Sequence, residues 1–286
     1  MKIHALSTGK VRVKQSFLVA RSGPMRQLSV FLPGPMSDPL PIHVWVIEHE
    51  GRRILVDTGE IAAVNDIPFA KFDVGEAEEL PAALASIGVE AGDIDTAVLT
   101  HMHGDHMDGA VHLGGMPVLV HDAEIAHANS RSSRFFQKVL RQPIPAGVDF
   151  QPLALDEGPF GAFEASKQLT DDGRVVAVAT PGHTPGHISI VCIDDEGRHV
   201  LLAGDATDTL EQLRSRRHDA VGPDPAVTVA TIDRILAHSR EHPTVFLPSH
   251  DPESVARLEA GETLYVARPR RPRRRGLRRR RSGSRP

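Results

Sequence analysis

Cysteine, tyrosine and tryptophan are almost absent from this 286-residue chain, which contains one of each. The single cysteine, Cys192, excludes an internal disulfide, a CxxC redox site and a zinc site built from several cysteines. No uninterrupted run of about 18 apolar residues occurs, so a membrane-spanning helix is not expected. The N-terminal segment also lacks the apolar stretch of a signal peptide, and we therefore expect a cytoplasmic protein with no membrane partner.

Charge is distributed unevenly along the chain. Residues 268–286 hold eleven arginines and no acidic residue, so the remainder carries 22 basic against 37 acidic residues. A body of negative charge disfavours a nucleic-acid partner, except through the arginine-rich segment. Because a dense block of like charge repels itself, residues 266–286 are expected to form a disordered tail beyond one folded domain at 1–265.

Short apolar runs and helical patterns alternate in two halves of the chain. Residues 42–48 and 53–56 predict a hairpin, and helices are predicted over 75–87, after Asp224-Pro225 and after Asp251. Further strands are predicted at 96–99, 116–120, 175–179, 188–193, 199–203 and 244–247. Residues 124–150 are interpreted as a helical cap or lid. This alternation favours a layered α/β fold with its functional side chains at strand ends.

Histidine is frequent, with 16 residues, and three of them cluster in the segment HMHGDH at 101–106. Alternate side chains of an extended chain point the same way, so His101 and His103 can share one metal ion. A turn at Gly104 lets Asp105 and His106 face a second ion. Imidazole and carboxylate are the ligands that zinc takes when no thiolate is available.

Three further metal-capable side chains follow a rigid turn or a predicted strand. They are His183 in the segment TPGHTPGH, Asp205 in GDA and His250 in PSHDPE. The functional residues of the sequence are therefore far apart along the chain but share one structural context.

This set of segments resembles the metallo-β-lactamase superfamily over residues 40–255. The resemblance implies an αββα sandwich, two mixed sheets flanked by helices, with a dinuclear metal site between its halves. By that match, one ion is held by His101, His103 and His183, the other by Asp105, His106 and His250, and Asp205 bridges both. Two zinc ions per chain are expected, with iron, manganese or cobalt as alternatives in a nitrogen and oxygen site.

Two residues are assigned supporting roles by the same resemblance. Asp57, in the segment LVDTG, matches the strand-end aspartate that orients a ligand from behind. His187 matches no ligand of the family and is interpreted as an orienting or packing residue.

Within the superfamily, these segments are similar to the N-acyl-homoserine lactonase group. The similarity implies a quorum-quenching hydrolase that opens a lactone ring by attack of a metal-bridging hydroxide, with Asp105 passing a proton to the leaving alkoxide. Lactonases of this group usually carry a tyrosine three residues after the bridging aspartate, whereas this chain has Asp208 at that position.

The sequence leaves the substrate open. The same scaffold supports arylesterases, thioesterases and phosphotriesterases, and less readily a ribonuclease Z-like phosphodiesterase or a non-catalytic metal-binding protein. Candidate substrate contacts are Asp208 and the aromatic side chains of Phe69, Phe135 and Phe136, which could line or close an acyl channel. A small lactone or ester is the expected partner, and a homodimer is left open.

Overall fold

A computed structural model describes residues 1–18 and 27–265. These residues contain twelve strands and eight α-helices. The strands are β1 (Lys2–Val13), β2 (Leu40–His49), β3 (Arg52–Val56), β4 (Ala70–Asp73), β5 (Thr96–Val98), β6 (Val118–His121), β7 (Phe150–Leu153), β8 (Ser166–Gln168), β9 (Val175–Ala179), β10 (Ile188–Ile193), β11 (His199–Gly204) and β12 (Thr244–Pro248). The helices are α1 (Gln15–Leu18), α2 (Leu80–Ala85), α3 (Gly104–Met107), α4 (Asp122–Ala128), α5 (Arg131–Leu140), α6 (Leu210–Ser215), α7 (Pro225–Glu241) and α8 (Ser254–Ala260). The segment predicted as a tail, 266–286, lies outside the described residues.

The strands form two mixed sheets. The first has the order β4-β1-β2-β3-β5-β6-β7, in which β3, β5, β6 and β7 run parallel and the other neighbours are antiparallel. The second has the order β12-β11-β10-β9-β8, with only β11 and β12 parallel. The predicted fold class, two mixed sheets flanked by helices, is confirmed.

Successive side chains of a strand point to opposite faces of its sheet, and both faces of each sheet are packed here. Trp45 and Ile47 of β2 pack against the second sheet, while their neighbour Val46 faces the helical layer that contains α2. In β11, Leu202 joins the core between the sheets and Leu201 packs under α7. Each central strand is therefore apolar on both faces, which is the pattern of a sheet covered on both sides.

The core between the sheets also holds the one cysteine. Cys192 of β10 is fully buried there, among residues from both sheets. Burial raises the pKa of its thiol, because the apolar core disfavours the thiolate. The thiol is thus part of the packing and has no place in a functional site.

Several elements differ from their predicted bounds. The helix predicted over 75–87 begins at Leu80, and Pro81 stands in its first turn, where a missing N–H costs nothing. The region interpreted as a lid holds α4, α5 and an irregular stretch before β7. Strand β1, the longest of the described strands, was not predicted.

The carboxyl ends of β3, β5, β11 and β12 meet at one edge of the sandwich, where the loop between β9 and β10 also lies. A hydrogen bond from the Ile188 nitrogen to the Thr100 carbonyl, 2.9 Å, joins the two sheets at this edge. Residues that follow these strands are brought together across the two halves.

Candidate metal centre

Six of the seven predicted ligands follow the strand ends at this edge or lie in α3. His101 follows β5, and His103 precedes α3, whose first turn contains Asp105 and His106. His183 lies in the turn between β9 and β10. The two remaining ligands follow parallel strands of the second sheet: Asp205 follows β11 and His250 follows β12.

Three imidazole nitrogens converge on one side of the centre. His103 Nδ1 lies 2.9 Å from His101 Nε2 and 2.9 Å from His183 Nε2. Asp205 Oδ2 completes this group at 3.5 Å from His183 Nε2 and 3.9 Å from His101 Nε2. Four potential ligand atoms thus face one small volume.

A second group forms on the other oxygen of the same carboxylate. Asp205 Oδ1 lies 3.4 Å from His106 Nε2 and 3.4 Å from His250 Nε2. Asp105 joins them, with Oδ2 3.4 Å from His250 Nε2 and Oδ1 4.0 Å from His106 Nε2. Asp205 therefore presents one oxygen to each group.

The donor atoms fit divalent metal ions. His106 Nε2 and Asp205 Oδ1 are buried and have no hydrogen-bond partner among the described residues. Buried polar atoms left unpaired cost free energy, so their persistence at one place indicates a ligand. The trios His101/His103/His183, His101/His106/Asp205 and Asp105/His106/His250 each bring their ligand atoms within 4.8 Å of one another. Nitrogen and carboxylate donors in such sets are typical of zinc and of other first-row metals.

The second ring nitrogen of three ligands is held by a protein acceptor. His106 Nδ1 lies 2.8 Å from Asp57 Oδ2, and His250 Nδ1 lies 2.8 Å from the Pro41 carbonyl. His183 Nδ1 lies 2.5 Å from Asp219 Oδ2. Each contact places a proton on Nδ1, so that Nε2 is the nitrogen that a metal ion would bind.

Asp219 was missed by sequence reasoning. It lies between α6 and α7, 36 residues after His183, and no motif marks it. Its other oxygen, Oδ1, accepts the backbone N–H groups of Val221 and Gly222, which fix the carboxylate. The only sequence signal was an aspartate close before a Gly-Pro turn, which is common on protein surfaces.

His187 lies behind Asp205 and belongs to neither group of candidate ligand atoms. Its Nδ1 lies 2.9 Å from Thr180 Oγ1, which in turn contacts Ser189 Oγ at 2.8 Å. Its Nε2 accepts the Asp205 backbone N–H at 3.0 Å. These contacts put the proton of His187 on Nδ1 and fix the main chain at Asp205.

In the metal-free chain, burial and the neighbouring carboxylates shift the pKa values of these histidines in opposite directions. Burial, with neighbouring imidazoles, lowers the pKa of His101 and His103 well below the usual range, so both are neutral. Burial also disfavours charge on His183 and His250, but the carboxylates of Asp219 and Asp205 outweigh it and raise each pKa to about 9. The Asp205 carboxyl, despite its burial, has its pKa held well below the usual range by His250 and His106.

Glu124 is a second buried carboxylate that the sequence did not predict. Its Oε1 accepts the Met102 N–H at 3.1 Å, within the HMHGDH segment. Its Oε2 accepts the Thr184 hydroxyl at 2.7 Å and the Gly186 N–H at 3.1 Å, both in the loop that carries His183. A Cβ at Gly186 would lie 2.1 Å from the Glu124 nitrogen, so only glycine permits this approach.

A cavity of about 150 Å³ opens onto these two groups of candidate ligand atoms. Its polar end consists of His103, Gly104, Asp105, His183, Asp205, Asp208 and His250. Its opposite wall is apolar and consists mainly of Val11, Val13, Phe17, Leu40, Ile67, Phe69, Ala70, Phe72, Leu140 and Val221. The arrangement suits a molecule with a reactive polar head and an apolar arm.

The predicted substrate contacts divide into two groups. Phe69 and Asp208 line the cavity. The structure does not bring Phe135 and Phe136 to it, because both side chains lie on the outward face of α5 and are 63% and 51% exposed. Of residues 124–150, which were interpreted as a lid, only Leu140 and Gln142 line the cavity. They lie at the end of α5 and just after it.

Asp208 has an unusual environment for a carboxyl group. It is buried, its backbone N–H donates to Gln212 Oε1 at 2.7 Å, and its own Oδ2 has no partner among the described residues. Burial, together with the nearby charges of Asp205 and Asp219, raises the pKa of Asp208 to about 7. A carboxyl group in this state can donate as well as accept a hydrogen bond near neutral pH.

Residues 37–250 match the family model described as the Metallo-beta-lactamase superfamily. Among curated proteins, the chain is 28% identical over 236 residues to an N-acyl homoserine lactonase of Bacillus sp, covering 79% of this chain and 86% of that protein. It is 24% identical over 282 residues to the N-acyl homoserine lactonase AiiB of Agrobacterium fabrum, covering 90% and 96%. A solved structure of an AiiA variant from B. thuringiensis, with N-decanoyl-L-homoserine at its active site, superposes with a TM-score of 0.71 at 23% identity and covers 89% of this chain and 95% of that one.

Proposed function

This chain belongs to the metallo-beta-lactamase superfamily, and from that premise we propose that it is a metal-dependent hydrolase that opens the ring of N-acyl-homoserine lactones. Two divalent ions, zinc in the first instance, would be held by His101, His103 and His183 and by Asp105, His106 and His250, with Asp205 between them. The relatives named as N-acyl homoserine lactonases support the reaction at modest identity. The biological role would then be quorum quenching.

One observation carries the proposal: the cavity joins the ligand groups to an apolar wall. A lactone carbonyl at the polar end would lie beside Asp105 and Asp205, while an acyl chain would pack against Phe69 and Leu140. Removing a chain of this kind from water provides binding free energy of about 0.8 kcal/mol per methylene group. A polar substrate of the same reactivity would leave that wall without a partner.

The reaction adds water across the ring ester: a bond forms between the carbonyl carbon and the oxygen of water, and the bond from that carbon to the ring oxygen breaks. Divalent metal ions, when bound, lower the pKa of water and polarise a carbonyl. Asp105 lines the cavity and is half-buried, and it would hold the proton lost by water and return it to the leaving oxygen. The second nitrogens of His106 and His183 stay fixed by Asp57 and Asp219.

Asp208 is our candidate for a substrate contact in place of the tyrosine of the lactonase group. Its unpartnered Oδ2 and its place in the cavity wall support this role. It would bind the carbonyl oxygen when protonated or the amide N–H of the acyl chain when ionised. Asp208→Asn keeps a donor and an acceptor, whereas Asp208→Ala removes both, so only the second variant should raise KM strongly.

The test combines metal analysis with a substrate panel on the purified full chain. We expect stoichiometric transition metal, and turnover of N-acyl-homoserine lactones that exceeds turnover of aryl esters, thioesters, phosphotriesters and phosphodiesters. Chelation should abolish turnover and zinc should restore it. Asp205→Asn should lose metal and activity together, while Asp233→Asn, on the exposed face of α7, should change neither.

The panel also decides between the alternatives. Preference for an aryl ester, a thioester or a phosphotriester would keep the metal centre and overturn the lactone assignment. Protein that binds no transition metal under any loading condition would contradict the hydrolase itself.

A further inference from the structure

Helix α5 presents its large apolar side chains to solvent. Phe135, Phe136 and Val139 are 63%, 51% and 58% exposed and form one stripe at helical spacing. The partly buried face of the helix consists of Ser133, Gln137 and Leu140. The usual arrangement of a surface helix, with the apolar face inward, is therefore reversed.

A basic stripe runs beside the apolar one. Arg131, Arg134 and Lys138 are all exposed and follow one another at helical spacing, and Arg141 directly follows the helix. No acidic residue occurs from 125 to 148, although acidic residues outnumber basic ones in the chain as a whole. Within 1–18 and 27–265, none of these four residues forms an ion pair.

This helix adjoins the cavity. Leu140, at its end, lines the apolar wall, as does Phe69. On the side of Phe69, the exposed ring of Phe31 packs edge to face against it, with centroids 5.5 Å apart. Apolar surface thus continues from the interior of the cavity to solvent.

We propose that α5 docks on an anionic lipid surface, with Phe135, Phe136 and Val139 inserted among the acyl chains and the basic stripe against the headgroups. A helix of this composition, with aromatic residues on one face and lysine or arginine beside them, is typical of segments that lie in a membrane interface. The positive stripe complements anionic headgroups. It would repel the same stripe on a second copy, which disfavours a dimer through this face.

This docking would revise the sequence-based expectation that the protein has no membrane partner. Among the described residues, no helix combines the length and apolarity needed to cross a bilayer, and a helix lying in the interface needs neither. The inference rests on the proposed function for its purpose: substrates with acyl chains partition into lipid, and docking would place the cavity beside them.

The experiment places a fluorescent reporter on the helix of the full chain. Phe136→Trp puts a tryptophan in the exposed stripe, while the native Trp45 is fully buried and out of reach of lipid. Glu196→Trp, on the turn between β10 and β11 at the opposite end of the sandwich, is the matched control. Each variant is mixed with phosphatidylcholine vesicles with and without phosphatidylglycerol, in which the acyl chains carry bromine as a quencher.

We expect a blue shift and quenching of Phe136→Trp on the anionic vesicles, and no quenching of Glu196→Trp. The eleven arginines of 268–286 favour any anionic vesicle, so co-sedimentation alone would not locate the contact, whereas quenching by the acyl chains does. Adding Arg131→Gln and Arg134→Gln to Phe136→Trp should weaken partitioning by about thirtyfold, on the scale of 1 kcal/mol per basic residue. Lys2→Gln with Arg52→Gln removes the same charge elsewhere and should not.

Two results would overturn the proposal. One is an unquenched Phe136→Trp on anionic vesicles, which would leave lactone hydrolysis in solution untouched. The other is a blue shift of Phe136→Trp without vesicles that grows with protein concentration, together with a doubled mass in light scattering. That result would assign the face to a second copy of the chain.

Discussion

At the scale of single residues, the candidate ligands are oriented by side chains that contact their second ring nitrogen. His106 and His183 each direct one ring nitrogen to a buried carboxylate, Asp57 or Asp219. Those carboxylates are themselves held by backbone N–H groups, at Thr100 for Asp57 and at Gly222 for Asp219. The orientation of each imidazole is therefore fixed before any metal arrives.

Asp219→Asn should reduce metal affinity without unfolding the protein. The amide keeps the size of the side chain but no longer presents a charged acceptor to His183 Nδ1. Loss of such a supporting contact typically costs 10- to 100-fold in metal affinity, on the order of magnitude seen at other metal sites. Competition with a chromophoric chelator measures it, with Asp233→Asn as the control. Unchanged affinity would contradict the supporting role.

Asp105→Asn should lower kcat by at least about a hundredfold, the usual scale for loss of an acid–base group. The variant must retain its metal, because Asp105 is also a candidate ligand, so metal content is measured on the same preparation. Near-normal turnover with metal in place would remove Asp105 from proton transfer.

The residues within motifs were predictable from the sequence, and those outside motifs were not. The segment HMHGDH sits after a strand, so its side chains had to project from a strand end. Asp219 and Glu124 act on the same centre through contacts that span 36 and 60 residues along the chain. A lone aspartate or glutamate has no local pattern, and only the fold brings it to its partner.

At the scale of elements, strands with an apolar run on both faces were predicted well. Strands β9, β10, β11 and β12 are short, rich in valine, leucine and isoleucine, and bounded by turn residues. Strand β1 has the sequence KIHALSTGKVRV, in which polar residues and Gly9 interrupt any simple alternation. Its pairing with β2 shifts register between Ser7 and Lys10, which explains why no period was visible.

Helix α5 packs with its aromatic side chains outward, which the aromatic content of the segment did not predict. The sequence made Phe135 and Phe136 candidates for closing an acyl channel, whereas the structure leaves both side chains exposed. Whether a helical side chain faces inward depends on which face packs, and here that face carries Ser133 and Gln137. The aromatic content of the segment therefore did not show which way these side chains point.

Glu124 connects the HMHGDH segment, which contains His101 and His103, to the loop that carries His183. Glu124→Gln removes the charge and turns an amide N–H toward a group that is itself a donor, so we expect the free energy of unfolding to fall by about 2 kcal/mol. Urea denaturation of metal-loaded protein measures the change, with the exposed Glu259→Gln as the control. Equal stability of the two variants would mean that the loops hold their positions without this carboxylate.

At the scale of the whole molecule, the end of the sandwich away from the metal centre contains a second histidine cluster. His199 Nδ1 lies 2.8 Å from His238 Nε2, and the ring of His242 stacks on His199 with centroids 4.4 Å apart. Asp194 is the acidic residue near His199. Burial, with the neighbouring imidazoles, lowers the pKa of His199 to about 4 and of His238 to about 3.

Acidification should therefore destabilise the fold through this cluster. Unfolded histidine titrates near 6.5, so between pH 6.5 and 4 the unfolded chain binds more protons than the folded one. The stabilisation is complete above pH 6.5 and is lost as the pH falls, by up to about 1.4 kcal/mol per pH unit for each histidine. His199→Gln should flatten the pH dependence of the free energy of unfolding relative to His127→Gln. An identical pH dependence of the two variants would contradict this role of the histidine cluster.

The burial of Cys192 in the core between the sheets has a practical consequence. A thiol with no exposed surface should stay unreactive toward Ellman's reagent until the protein unfolds. The native protein would then serve as a thiol-free background, in which one engineered surface cysteine takes up a spin label or dye without removal of the natural one. With a second engineered cysteine, one on α5 and one at the far end of the sandwich, the distance between the two labels would become measurable with Cys192 left in place.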